Sequence, residues 1–254
     1  MYNVKATLSG NGTNDSTLII GAHFDAITYN SDRIPFPYTL GANDNASGIA
    51  IMLEMARIYH KYQIKPNKNI DFMAFDGEEL GLKGSYYDAK KRKAENQPIV
   101  IMMNNDMVGY QPIDKEWKFQ LIEYPTSQDY TPIAEHACRC FTSLSPIAID
   151  AWDLYSDSYY YYMQGFKCFY GYEYYDDPHY HSAEDSYENL NFDYMKEVAI
   201  LNFALMYHYA IANVFEMDTT TAINTFANYI SDINIYPNPS NDLTNIQFSL
   251  FQTA

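Results

Sequence analysis

Several things are scarce in this 254-residue sequence, and each scarcity removes a class of function. Basic residues number 16 against 32 acidic ones, and the resulting formal charge of -16 repels nucleic acid and anionic lipid, so neither is an expected partner. Cysteine occurs three times, at Cys138, Cys140 and Cys168, an odd set without zinc-finger spacing. Cys138 and Cys140 also stand too close for an easy mutual bridge. No stretch reads as a membrane span: the most apolar one, residues 198–215, is interrupted by Asn202, His208 and Asn213 and fits a buried helix. A charged-then-apolar leader is missing too, because residues 1–8 already alternate like a strand. Neither a Gly-x-Ser-x-Gly elbow nor a His-Glu-x-x-His helix occurs, and the cysteines lack a partner motif, so serine, cysteine and single-zinc-helix hydrolysis find no support.

What is present is a chain that is 47% hydrophobic, enough for one large core and short for two ordinary domains. Short β-rich runs at residues 2–8, 17–22, 69–75, 99–103, 117–122, 146–149 and 166–170 alternate with helical patterns at 47–62, 84–96, 130–142 and 192–212. That alternation predicts an α/β sandwich with a largely parallel sheet. The first two strands are read as joined by a turn over residues 9–13. The Lys90-Lys91-Arg92-Lys93 cluster is read as a solvated helix face. Tyrosine is abundant, 26 in all, and its density between Tyr155 and Tyr187 points to a segment that lines a pocket or packs over one.

The informative pattern is where acidic residues and histidines fall. His23 and Asp25 follow the strand at 17–22, Glu78 and Glu79 follow the one at 69–75, and Asp106 follows the one at 99–103. In an open α/β sheet the carboxyl ends of parallel strands are where ligands bind, so these segments are expected to converge on one crevice. Asp44 lies in a polar turn of small residues, 41–48, just before a helix, where the backbone can approach an ion. His181 lies in the irregular polar segment 177–185. Two imidazoles among several carboxylates form a mixed nitrogen and oxygen donor set that suits zinc and, less selectively, manganese or cobalt.

The tracts Gly21-Ala22-His23-Phe24-Asp25, residues 41–48, Phe75-Asp76-Gly77-Glu78-Glu79-Leu80-Gly81-Leu82-Lys83-Gly84-Ser85, Asn105-Asp106-Met107-Val108-Gly109 and residues 181–186 each resemble, in order, the metal motifs of the co-catalytic zinc aminopeptidases, which include bacterial leucyl members. The resemblance spans roughly residues 3–212 and implies a three-layer α/β/α sandwich with a mixed, largely parallel central sheet, and a metallopeptidase that releases N-terminal residues from peptide substrates with two divalent ions, zinc expected. It implies that Asp44 bridges the ions, with His23 and Asp106 completing one site and Glu79 and His181 the other, while Glu78 acts as general base. Asp25 is the expected outer partner of His23, and Asp185 stands ready for the same task near His181. Glu173 is a candidate acceptor for the substrate's amino terminus, and Tyr155 and Tyr159 are candidate donors to the oxyanion.

Two departures qualify the match. Ser156-Asp157-Ser158 stands where the family commonly reads Ser-Asp-His, which bears on substrate preference and leaves the ligand set untouched. Relatives also carry an N-terminal segment before the first strand here, so residues 1–216 are read as a catalytic domain lacking that part. Residues 217–232 read as a linker. The final stretch, 233–254, with Tyr236-Pro237-Asn238-Pro239, resembles a shortened C-terminal sorting domain of the type IX secretion pathway and implies that machinery as a partner and a secreted or cell-surface location, with the signal peptide lost. A glutaminyl cyclase of similar fold and a catalytically inactive binding scaffold are the alternatives. The run Glu79-Leu80-Gly81-Leu82-Lys83-Gly84-Ser85 looks like the peptidases rather than the cyclases, and retention of all the ligand candidates argues against the scaffold.

Overall fold

Leu18-Ile19-Ile20-Gly21-Ala22 is apolar at consecutive positions, so as a strand it must be covered on both faces. The computed structural model, which describes residues 2–29, 40–150 and 156–211, places it there: β2 (Thr17–His23) lies at the centre of the sheet with its apolar side chains wholly buried. Each such side chain contributes about 1.5–3 kcal/mol when taken out of water. On either side lie β3 (Asn69–Phe75) and β4 (Ile99–Asn105), both parallel to β2. β1 (Val4–Leu8) pairs antiparallel with the outer edge of β3, so the first two strands are not a hairpin; β3 separates them.

Beyond β4 come β7 (Cys168–Glu173), parallel to it, then β5 (Lys118–Glu123), antiparallel to β7, and β6 (Ser145–Asp150), parallel to β5. The order is β1-β3-β2-β4-β7-β5-β6, a mixed sheet whose central four strands run one way. One face is covered by α1 (Ser47–Lys61), α3 (Thr131–Phe141) and α5 (Phe192–Ala210), which share the larger core with Leu18, Ile20 and Met103. The other carries α2 (Lys83–Ala94) and α4 (Ser158–Met163), packed through Ala89 and Tyr161 onto Ile19, Phe75 and Met102. This is the expected three-layer sandwich.

Polar residues inside the core are paired. Asn202, which interrupts the apolar run of α5, exchanges amide hydrogen bonds with Asn105 at 3.0 and 2.9 Å. Asn191 caps the same helix, accepting from the Tyr194 backbone N–H. One expectation is corrected: Arg92 does not lie on a wet face. It is 3% exposed and bridges Asp71 at 2.8 Å and Asp88 at 2.5 Å, so α2 turns the third residue of its basic cluster inward to close an ion-pair network. All three cysteines are free thiols, Cys138 and Cys168 buried and Cys140 exposed. No helix among the described residues is long and apolar enough to cross a membrane. Tyr155, the linker at 217–232 and the tail at 233–254 lie outside the described residues.

Candidate metal centre

Parallel strands end side by side, and the residues after β2, β3 and β4 therefore meet. His23 is the last residue of β2, Glu78 and Glu79 follow β3, and Asp106 follows β4. Asp44 arrives from the irregular turn ahead of α1. Gly41 starts that turn with φ 58°, a left-handed value that L side chains rarely adopt, and Gly48 ends it where an added Cβ would stand 2.3 Å from the Asn105 carbonyl oxygen. His181 comes from the segment after β7, itself at φ 52°, as is Met107. Such values in non-glycine residues persist where surrounding contacts hold them, and they cluster at functional sites.

Two groups of side chains converge: His23, Glu78 and Asp106, and Asp44, Glu79 and His181, each with ligand atoms within 4.8 Å of one another. Asp44 joins the groups, its Oδ1 lying 3.1 Å from His23 Nε2 and its Oδ2 3.0 Å from His181 Nε2. His23 Nε2 also faces Asp106 Oδ1 at 3.3 Å, and His181 Nε2 faces Glu79 Oε2 at 3.0 Å.

Whether this donor set fits metal ions can be judged from His23. Its Nδ1 is 2.9 Å from the Asp25 backbone carbonyl oxygen, which can only accept, so Nδ1 carries the proton. In the neutral imidazole Nε2 then aims a lone pair at two carboxylate oxygens, an arrangement that needs a cation between them or a second proton on the ring. One proton on Nε2 can serve only one of those oxygens. Atoms coordinated at zinc-like lengths to one tetrahedral ion lie roughly 3.3–3.6 Å apart, close to the spacings seen here. The residues fit a pair of cations held by mixed nitrogen and oxygen donors.

In the metal-free protein the same contacts, together with burial, set the protonation of the site. Burial works to lower the His23 pKa, but Asp106, Asp25 and Asp44 outweigh it and hold it well above its ordinary value. His181 is pushed up to about 9, burial again opposing and the hydrogen bonds from Asp44 and Glu79 prevailing. Glu78 rises to about 9 through burial and the negative charge of Asp106. Asp44, although burial pushes it up, is held at about 2 by its two histidine partners.

These shifts have a consequence for pH. His181 and Glu78 both hold protons in the folded protein that the unfolded chain has lost above its ordinary values of 6.5 and 4.5. Their contribution to stability is therefore complete at low pH and lost as pH rises through about 9. Zinc needs the nitrogens free and the carboxylates ionised. The melting temperature of the metal-free protein is expected to fall across this window while the increment given by added zinc grows, and a zinc increment that stays flat with pH would contradict the assignment.

Around the ligand atoms sits a shell of oriented backbone. The Asp25 carboxylate accepts from the Glu78 and Glu79 N–H groups at 3.1 and 3.2 Å, fixing the loop that carries both glutamates; its approach to the His23 ring is through the carbonyl, the carboxylate being 3.6 Å away. Asp185 accepts from the backbone N–H of Asn43 and Asp44 at 2.7 and 3.1 Å, so it braces the Asp44 turn and not the ring of His181. Ser156 donates to Asp106 Oδ2 at 2.5 Å and accepts from Asn104 at 2.6 Å.

A cavity of about 360 Å³ opens from Asp44, Glu78, Glu79 and Asp106 across the face of β7, β5 and β6. Cross-strand register explains its wall: Tyr172 stands opposite Gln120, and Tyr170 opposite Ile122, which is opposite Ile149. Tyr124 and Tyr180 complete it. Of the pocket residues expected from sequence, Tyr159 sits on α4 packed against Tyr160 and Tyr162 and is not among those lining the cavity. Glu173 has a different place as well: it is 0% exposed, with one oxygen accepting from Asn43 and the other from the Tyr110 N–H. Tyr180, which sequence reasoning passed over, lines the cavity and stacks on the His181 ring at 3.8 Å, a contact signalled only by its adjacency to that histidine.

A family model described as Peptidase family M28 matches residues 3–206. A probable leucine aminopeptidase of Trichophyton verrucosum is 30% identical in an alignment of 221 positions that covers 83% of this chain and 58% of that protein. The chain thus spans little more than half the length of that relative. Among solved structures, a zinc aminopeptidase from Bacillus subtilis superposes with a TM-score of 0.67 at 24% identity, over 85% of this chain and 51% of that one. A Bacteroides thetaiotaomicron glutaminyl cyclase bound to N-acetylhistamine superposes at 0.62 and 18% identity, over 81% and 76%. At these identities the structural likenesses speak for the fold alone.

Proposed function

The chain belongs to peptidase family M28, and on that premise we propose that it is a two-metal exopeptidase that hydrolyses the N-terminal peptide bond of peptides. The observation that carries the reading is Asp44, whose two carboxylate oxygens reach two different histidines, each of which also faces a further carboxylate. His23 and Asp106 would hold one ion, Glu79 and His181 the other, and Asp44 both. When bound, such ions supply Lewis-acid polarisation of the substrate carbonyl and a water acidified towards neutrality.

The chain's own residues do the rest. Glu78 stands beside His23 and Asp106, where a carboxylate can take the proton of the attacking water and return it to the departing amine. Its pKa, high without metal, is expected to drop once cations replace the neighbouring negative field, which readies it as a base. The aromatic and aliphatic wall formed by Tyr124, Ile122, Ile149, Tyr170 and Tyr172 excludes water and suits an apolar or aromatic N-terminal side chain.

Metal analysis and an aminoacyl-nitroanilide assay test the reading together. Chelation is expected to abolish cleavage, with zinc restoring it, and the active protein is expected to bind two equivalents. A single equivalent with ring closure of N-terminal glutamine would favour the cyclase instead, and two equivalents without turnover of any peptide would leave only a binding scaffold.

A further inference from the structure

We propose that Asn43 is a positioning residue that keeps the separate ligand-bearing loops in register, a role that rests on the two-ion reading above. Asn43 is 0% exposed and all its polar atoms are engaged. Nδ2 donates to Glu173 Oε1 at 2.8 Å and to Asp177 Oδ2 at 2.7 Å, while Oδ1 accepts from the Gly109 N–H at 2.9 Å. Its backbone N–H donates to Asp185 at 2.7 Å, and its carbonyl oxygen accepts from the Ser47 hydroxyl at 2.7 Å.

These contacts reach three segments that carry candidate ligands. Asp44 is the next residue, Gly109 belongs to the segment that carries Asp106, and Asp177 and Asp185 stand on either side of His181 in sequence. One buried amide therefore ties together the β4 exit, the β7 exit, the His181 segment and the turn bearing the bridging carboxylate.

The requirement at position 43 is one of charge more than of shape. Three buried carboxylates, Glu173, Asp177 and Asp185, converge on the N–H groups of this residue. A neutral side chain with two donors and one acceptor satisfies Glu173, Asp177 and Gly109 at once. Aspartate has nearly the same outline but no donor, so it would turn two attractive contacts into repulsive ones in a site where water cannot screen them. Groups that orient metal ligands without touching the ion typically change affinity about 10–100-fold when removed, because ligands must be held within about 0.5 Å of the productive geometry.

The test compares Asn43→Asp, Glu173→Gln and the double variant, each as the full chain. Zinc bound per chain is measured at buffered free zinc, with kcat and KM for an apolar aminoacyl-nitroanilide determined separately. Asn43→Asp is expected to weaken zinc binding about 10–100-fold and to lower kcat at subsaturating zinc, with KM nearly unchanged because the cavity wall is untouched. The double variant is expected to recover part of the loss, since a glutamine at 173 donates where the glutamate accepted and the added charge is cancelled. That recovery is a coupling a general loss of packing would not produce. Wild-type zinc affinity in Asn43→Asp, or a double variant no better than that single one, would overturn the proposal. If Asn43→Asp does not fold, the double variant decides alone, and failure of both to fold would make Asn43 a folding residue and sink the positioning role. A wild-type protein that takes up no second ion would instead remove the two-ion reading itself.

Discussion

Glu78→Gln is expected to keep its zinc and lose turnover by about 10²–10⁴-fold, the range supplied by a positioned acid–base group. The substitution preserves the outline of the side chain, and the loop stays in place because Asp25 holds it through the backbone N–H groups of residues 78 and 79, which the change does not touch. What disappears is a site that can accept a proton. The comparison has a second use, because the structure groups Glu78 with His23 and Asp106, close enough to bind an ion as well as to serve as a base. Metal content separates the two: a variant that loses one equivalent along with its activity makes Glu78 a ligand, whereas full metal content with collapsed kcat makes it the base. Unchanged kcat/KM would remove it from both roles.

The second large effect belongs to Asp44→Asn. Among the described residues Asp44 alone faces both His23 and His181, and its carboxylate is held at about 2 by them, so at any working pH it is the negative charge between two nitrogen donors. An amide of the same size keeps one oxygen and removes the charge. Zinc uptake is expected to fall at both positions together, with kcat/KM down by at least as much as in Glu78→Gln, since loss of the ions removes what Glu78 would act upon. A readout independent of activity follows from linkage. Asp44 is among the partners that lift His181 to about 9, so without it His181 is expected to titrate nearer its ordinary value of 6.5, and the fall in metal-free stability above that pH is expected to flatten. Retention of one tightly bound equivalent at full stoichiometric occupancy would show that Asp44 serves a single ion.

Much of this site could be read from the linear sequence, and the reason is geometric. In a parallel sheet the residue that ends a strand is placed by the strand itself, so His23, Glu78, Glu79 and Asp106 were legible as soon as the apolar runs before them were. Asp44 was legible because small residues such as Gly41 and Gly48 mark a turn that lets backbone come close. His181 was legible as a second imidazole, but its partners came from the resemblance, since nothing local in an irregular segment at left-handed φ announces where its ring points.

The pocket was less readable. Tyrosines crowd the segment from 155 to 187, and no local signal distinguishes Tyr161, buried in the α2–α4 core, from Tyr170, Tyr172 and Tyr180, which line the cavity. Tyr159, expected as a donor to the oxyanion, is not among the residues lining the cavity: α4, a short helix absent from the sequence reading, sets its ring edge-on to Tyr160 and tilted against Tyr162. Glu173 misled for a related reason: a carboxylate at a strand end looks like a ligand-facing group until Asn43 and Tyr110 are seen to consume its oxygens. Arg92 was hidden by the lysines around it, and only the helix's contact with β3 brought Asp71 to its side.

Sequence alone determined the alternation of strands and helices and the chemical identity of the groups at the strand ends, because hydrophobic period and residue type are local properties that a strand converts directly into position. The tertiary structure decided which of those groups stand together, which way the last strands run and which tyrosines meet the cavity. Those outcomes depend on contacts between segments distant in the chain, where each side chain's role is set by the partner it meets rather than by its neighbours in sequence.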